Sequence, residues 1–250
     1  MYMETILEHA HQVSSTEADC FQRLRASALF RVLQDLAVEH SNTLGCGREM
    51  SREKGLYWVV SRMRAEFAAV PRYGQELTLR TWPGKQTRAM FPRYYDVRDR
   101  NGKLLVQASS AWLLIDAVSR EMVLPQRSGL ILPWAETGTE CALPGPLRNG
   151  EAGRQDTRTV RFSELDTNDH MNNTKYLDWM EDLLPREFHR DHRLESLQVN
   201  FLHELRQGDE AVLDWRLDGT CLTLRGSNAG VDRFRLTASY LPEPYAGIAP

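Results

Sequence analysis

Pro71-Arg72-Tyr73-Gly74-Gln75-Glu76-Leu77-Thr78-Leu79 returns later in the chain as Leu205-Arg206-Gln207-Gly208-Asp209-Glu210-Ala211-Val212-Leu213. Each copy opens on a turn signal and runs into an alternating strand. Each also follows a strand that comes after an amphipathic helix. The first helix is expected over 24–44, where Leu29, Val32, Leu33, Leu36 and Ala37 keep one apolar stripe and Gly45 supplies the stop. The second runs from Tyr176 to near Phe188, with Tyr176, Met180, Leu183 and Leu184 on one face. A repeat of this length means two copies of one supersecondary unit. One helix and about five mostly antiparallel strands per copy predict an α+β fold with an internal duplication.

Strands are expected at 57–67, 76–82, 92–98 and 103–115, with Asn101-Gly102 as the hairpin turn and a short addition at 123–124. A first strand falls within 3–20. Residues 133–157 lose periodicity and collect prolines and glycines, the composition of a linker. Strands return at 158–162, 197–203, 210–217, 222–226 and 233–240. The expected units are an N-terminal domain, 1–135, a linker, 136–156, and a C-terminal domain, 157–250.

The 250 residues carry a formal charge of −3, which implies no general affinity for nucleic acid or anionic membrane. No apolar run reaches the roughly 20 residues that span a bilayer, so no membrane insertion is expected. The N-terminus has neither a basic start nor an apolar core of a secretory signal. Cys20, Cys46, Cys141 and Cys221 are scattered, reading as reduced thiols of a cytoplasmic protein rather than a disulfide or zinc framework.

Ahead of the second helix stands Asp166-Thr-Asn168-Asp-His170-Met-Asn172-Asn173-Thr-Lys-Tyr176-Leu-Asp-Trp179. Its polar turn delivers Asp166, Asn168 and His170, spaced by two, to a helix N-terminus. There Asn172 and Asn173 are suited to cap the first turn. Aligning Gly74 with Gly208 sets Val70 opposite Glu204, and aligning the helical stripes sets Ala18, Cys20 and Gln22 opposite Asp166, Asn168 and His170. The first half therefore lacks the polar set. One active site per chain is expected, in the second half.

The pattern Asp-x-Asn-x-His-x-Asn-Asn-x-x-Tyr-x-x-Trp resembles the signature of the acyl-acyl carrier protein thioesterases, the plant plastid and bacterial enzymes that end fatty-acid synthesis. Trp58–Arg64, Arg80-Thr-Trp82 and Ser110–Asp116 also resemble segments of that family. The resemblance implies a tandem hotdog fold, two antiparallel sheets each wrapped on a long central helix. It implies hydrolysis of acyl carrier protein thioesters with no metal and no organic cofactor. Glu204 joins Asp166, Asn168 and His170 as the fourth catalytic candidate, because the family carries an acid at the strand end before a Gly-containing hairpin. The residue after that acid is a cysteine in the plant enzymes, once assigned as nucleophile; here it is Leu205, which can neither attack nor ionise.

The expected mechanism is direct hydrolysis. Glu204 takes a proton from water, and His170 orients that water or protonates the leaving thiolate. Asp166 orients its neighbours, while Asn168 and the N–H groups behind Asn172 and Asn173 hold the oxyanion. Trp58, Met63, Trp112 and Leu114 are apolar strand residues expected to line an acyl tunnel. Core packing explains them equally well.

Other groups fare worse. His189 and His192 read as a solvated helix end rather than a metal pair, and the cysteines as structural thiols. The arginines and lysine from Arg62 to Arg100 read as scattered strand faces, or as a basic patch for an acidic carrier protein. An acyl-CoA thioesterase of the same fold and a non-catalytic acyl sensor stay open as alternatives, and so do monomer and homodimer.

Overall fold

The computed structural model describes residues 5–148 and 153–247. In chain order, β1 (Leu7–Gln12), α1 (Ala26–Thr43), α2 (Arg48–Lys54), β2 (Leu56–Phe67), β3 (Glu76–Pro83), β4 (Phe91–Asp99), β5 (Leu104–Asp116), β6 (Met122–Val123) and α3 (Pro125–Ser128) form the first half. The second half comprises β7 (Arg154–Thr159), α4 (Lys175–Asp182), α5 (Arg186–Asp191), β8 (His192–Phe201), β9 (Glu210–Asp218), β10 (Cys221–Asn228) and β11 (Val231–Pro242).

All strand pairs are antiparallel, and the described strands form one 11-stranded sheet in the order β1-β3-β4-β5-β2-β8-β11-β10-β9-β7, with β6 on β5. The order is a palindrome: reading outward from the centre, β2, β5, β4, β3, β1 meet β8, β11, β10, β9, β7. The two sheets expected from the sequence are therefore two halves of one. Their seam is the β2–β8 ladder, Arg62 opposite Asn200 through Glu66 opposite Ser196. Both helices bury their apolar faces in one core: Leu29, Leu33 and Leu36 of α1 and Tyr176, Leu177 and Met180 of α4 belong to the same packed cluster.

The second helix is shorter than the sequence promises. It breaks after Asp182 and resumes at Arg186, with Pro185 in extended geometry between the two pieces. A proline has no N–H to give and clashes with the preceding turn, so a helix running on to Phe188 is excluded. The strand expected at 158–162 lies at Arg154–Thr159 and so begins within what reads as linker.

Ahead of it, residues 139–147 lie across the outer face of the sheet as a strap. Thr139 donates to Asp96, and the carbonyls of Thr139, Ala142, Gly145 and Leu147 accept from Gln107, Ser109, Gln198 and Arg235. That is how Asp96, Ser109 and Asn200 come to be buried on a face that strand alternation makes polar. Asp96 is pushed up by burial, but the Arg80 and Arg98 guanidinium groups more than offset this and leave its carboxyl below the usual range. The basic set of the first half is largely spent in this way. Arg64 pairs with Glu66, Arg72 with Glu243, and Arg93 is buried against His40, Thr81 and Ser41.

Candidate active site

The Asp166 turn is closed by its own carboxylate. Asp166 Oδ1 accepts from the backbone N–H of Asn168 at 2.8 Å and of His170 at 3.4 Å, while the Asp166 N–H donates to the His170 carbonyl. Asp169 takes a left-handed φ of 62°, a conformation Asp tolerates better than most residues. Both edges of the turn are anchored. Met171 donates to the Leu205 carbonyl at 2.8 Å, and Asn172 to that of Glu164 at 2.8 Å. The motif aromatics hold the same loops from below: the Trp179 indole donates to Glu164 Oε1 at 2.8 Å, and Tyr176, buried and hydrogen-bonded to the Leu205 backbone, has its phenol pKa raised by burial.

This brings the candidates together. His170 Nε2 stands 3.0 Å from Glu204 Oε2, with the His170 side chain 19% and the Glu204 side chain 50% exposed. Arg206 Nη2 lies 3.4 Å from the same Nε2. One nitrogen cannot donate and accept at once; the shorter contact makes Nε2 a donor to the carboxylate. Asn168 is exposed at the mouth, its amide only loosely tied to Asp166 Oδ2 at 3.5 Å. Leu205 is fully buried.

Asn172 and Asn173 lie before the helix rather than on its first turn, which opens at Lys175 behind Thr174. Asn172 Oδ1 accepts from the Thr174 N–H and hydroxyl, both at 2.9 Å, and the Asn172 carbonyl takes the Lys175 N–H. Of the N–H groups expected to face an oxyanion, those of Asn172, Thr174 and Lys175 are thus engaged within the loop.

Trp58 and Trp112 line an apolar cavity of about 230 Å³ beneath the end of α1, together with Ala37, Phe91 and Leu132. Met63 and Leu114 do not line it; both are closed into the core. Tyr57, next to Trp58, accepts from Arg120, whose guanidinium also feels the Glu204 carboxylate. Tyr57 and Trp58 are neighbours on β2 and so point to opposite faces of the strand, Tyr57 toward Arg120 and Trp58 into the cavity. Arg206 could have been read from its place two residues after Glu204, whereas nothing local announces Tyr57 or Arg120. His189 and His192 spend ring nitrogens on the carbonyls of Glu181 and Phe188.

The first half repeats this turn with different side chains. Asp19 Oδ1 accepts from the N–H groups of Phe21 and Arg23, Asp19 donates to the Arg23 carbonyl, Leu24 to that of Pro71, and Arg25 to that of Glu17. Bond for bond, Asp19, Phe21 and Arg23 stand where Asp166, Asn168 and His170 stand. The register is one residue on from the Ala18, Cys20 and Gln22 that helical stripes suggest, because the turn is set by its Asp and not by the helix behind it. Val70 holds the position equivalent to Glu204, as the glycine alignment predicts, because the carbonyls of Pro71 and Leu205 accept the equivalent bonds.

The acyl-ACP thioesterase N-terminal domain profile matches residues 4–124, and the C-terminal domain profile matches 148–219. The chloroplastic palmitoyl-acyl carrier protein thioesterase of Arabidopsis thaliana is 29% identical, over 72% of this chain and 47% of its own length. The chloroplastic oleoyl-acyl carrier protein thioesterase 1 of the same plant is 22% identical, over 91% of this chain and 66% of its own length. The chain spans about half to two thirds of these relatives. The solved 12:0-ACP thioesterase of Umbellularia californica superposes with a TM-score of 0.81 at 20% identity, covering 97% of this chain and all of that one. An acyl-ACP thioesterase of Bacteroides thetaiotaomicron gives 0.80 at 22%, covering 96% and 100%. At such identities the likeness establishes the fold, a double hotdog. With both domain profiles matched in order and the signature turn closed on itself, this chain belongs to the acyl-ACP thioesterase family.

Proposed function

We propose that this protein hydrolyses fatty acyl-acyl carrier protein to a free fatty acid and the carrier thiol, ending fatty-acid synthesis. The observation that carries the reading is the His170–Glu204 pair at 3.0 Å, set in the same turn-built mouth as the exposed Asn168. Water is held between Glu204 and the thioester carbonyl. The His170 Nε2–H fixes one carboxylate oxygen, and the other takes the water proton as oxygen attacks the carbonyl carbon. Asn168 Nδ2–H donates to the oxyanion that develops. The Asn173 N–H joins it, because its counterpart on Ala26 donates across the halves to Glu181. The carbon–sulfur bond then breaks, Glu204 returns the proton to the thiolate, and a thiol of pKa about 8.5 leaves without much help. Asp166 positions both partners through the turn.

On this reading residues 157–250 form the catalytic unit, 1–135 hold the acyl chain against Trp58 and Trp112, and 136–156 are the connection. Met63 and Leu114 support the cavity wall from behind. Arg120, Arg206 and Arg233 crowd around Glu204, the last through the Glu204 carbonyl, and suit an acidic carrier protein. Four free cysteines suit a cytoplasmic setting, and no described helix is long and apolar enough to cross a membrane. Thiol release from acyl-acyl carrier protein and acyl-CoA of several chain lengths tests the reading. Turnover favouring the carrier substrate supports it, preference for CoA makes this an acyl-CoA thioesterase, and acyl binding with no turnover of any thioester sinks it.

A further inference from the structure

The repeated turn of the first half also borders a cavity, of about 490 Å³, between Asp19–Ala26 and the α4–α5 segment of the second half. It occupies the place of the catalytic mouth under the two-fold relation of the halves. The hydrolytic groups are absent: Phe21 stands for Asn168, Val70 for Glu204, and Arg23 for His170. Arg23, 4% exposed, donates to the carbonyls of His189, His192 and Glu243, and so fixes one wall.

Two polar groups line this cavity beyond what the fold requires. Tyr240 is 5% exposed, and its hydroxyl has no hydrogen-bond partner among the described residues. Glu181 gives Oε1 to the Ala26 N–H at the head of α1, at 3.1 Å, and its other oxygen has no such task. A buried phenol left without a partner is costly, and a ligand that accepts its proton recovers that cost. A hydroxyl donor beside a carboxyl acceptor matches a secondary amide, whose C=O takes the Tyr240 proton and whose N–H reaches Glu181. A fatty carboxylate would meet Glu181, Asp19 and Asp178 but also Arg23, Arg25, Arg186 and Arg193 of the same lining, so it is the competing occupant that the titration separates from the amide.

We propose that this cavity is a second, non-hydrolytic binding site for the amide-bearing pantetheine arm that coenzyme A and a carrier protein share. The inference rests on the reading above, in which the same arm enters the catalytic mouth. The full chain then holds two arms, one hydrolysed at His170–Glu204 and one retained at Tyr240–Glu181.

The test is calorimetric titration of the whole protein with pantetheine, then with coenzyme A and holo-carrier protein to separate the sources. It is paired with photocrosslinking of a diazirine-bearing pantetheine to the wild-type chain. Two sites per chain are expected, with crosslinks both near His170 and near Tyr240. Tyr240→Phe and Glu181→Gln each weaken one site about tenfold, the share of one hydrogen bond, and leave the other intact. A single site with every crosslink near His170 overturns the second site and leaves the hydrolytic reading standing. Laurate or palmitate held at Tyr240 in place of pantetheine also overturns it. No pantetheine at either mouth overturns both.

Discussion

His170 Nε2 and Glu204 Oε2 meet at 3.0 Å although they come from different loops, one heading a helix and the other ending a strand. A single hydrogen bond thus ties the orientation of the imidazole to the place of the carboxylate. Glu204→Gln keeps the contact and removes the base, so turnover is expected to fall about 10²–10⁴-fold with little change in KM. His170→Ala frees the carboxylate and is expected to fall in the same range. The two together should cost scarcely more than the worse of them, since they act as a unit. Steady-state kinetics on an acyl-carrier thioester decide this, and additive losses would separate the two roles.

Asp166 and Asp19 make the same turn, but only one turn carries reactive side chains. Replacing either with Ala strands two backbone donors, a loss comparable to that of a helix cap, about 1–2 kcal/mol. Denaturant unfolding should place Asp166→Ala and Asp19→Ala within error of one another. Turnover should separate them, falling at least tenfold for Asp166→Ala and far less for Asp19→Ala. Equal kinetic losses would mean that Asp166 does no more for His170 than hold the chain together.

The cavity proposed for the acyl chain is walled by Trp58 and Trp112 and bordered by Leu132. Leu132→Trp adds an aromatic ring to a space of about 230 Å³. Its expected effect is on substrate choice: kcat/KM for longer acyl chains drops more than for shorter ones, and stability changes little at a half-buried loop position. Competition between a long and a short acyl thioester measures the ratio directly. A ratio equal to that of the wild type would move the acyl chain out of this cavity.

The duplication was legible because Gly74 and Gly208 sit in tight turns at positive φ that repeat their neighbours' pattern. The signature turn was legible because its Asp, Asn and His are polar where periodicity stops. The joining of the sheets was not: Arg62, Arg64, Gln198 and Asn200 lie on the seam, and their polarity reads as a solvated face until the strap covers it. Pro185 did carry its warning, but an apolar stripe running through Leu183 and Leu184 outweighed it. The register of the first-half turn was lost because Phe21 and Arg23 share no chemistry with their counterparts, whereas Asp19 alone does. Gln34 is a similar case. By the two-fold relation it matches Glu181, and its Oε1 is buried with no partner among the described residues, a state that no sequence pattern signals.

Burial pushes the Glu181 carboxyl up to about 7, with Asp178 and Asp19 adding to the rise and Arg25 opposing it. The unfolded chain returns this group to about 4.3. Between those values the folded protein binds the proton that the unfolded chain releases, so the stabilisation is complete below about 4.3 and is lost as pH rises through 7. Glu181→Gln keeps an oxygen for the Ala26 N–H and has nothing to titrate. Relative to wild type the variant is therefore expected to gain stability from pH 5 to pH 8 and to gain no more above that. The total gain is at most about 4 kcal/mol, from a pKa difference of about 2.7 units. Thermal unfolding of both proteins at several pH values reads the gap. A gap independent of pH would show that Glu181 ionises in the folded chain as it does in water, and one that widens toward acid would show that folding lowers its pKa.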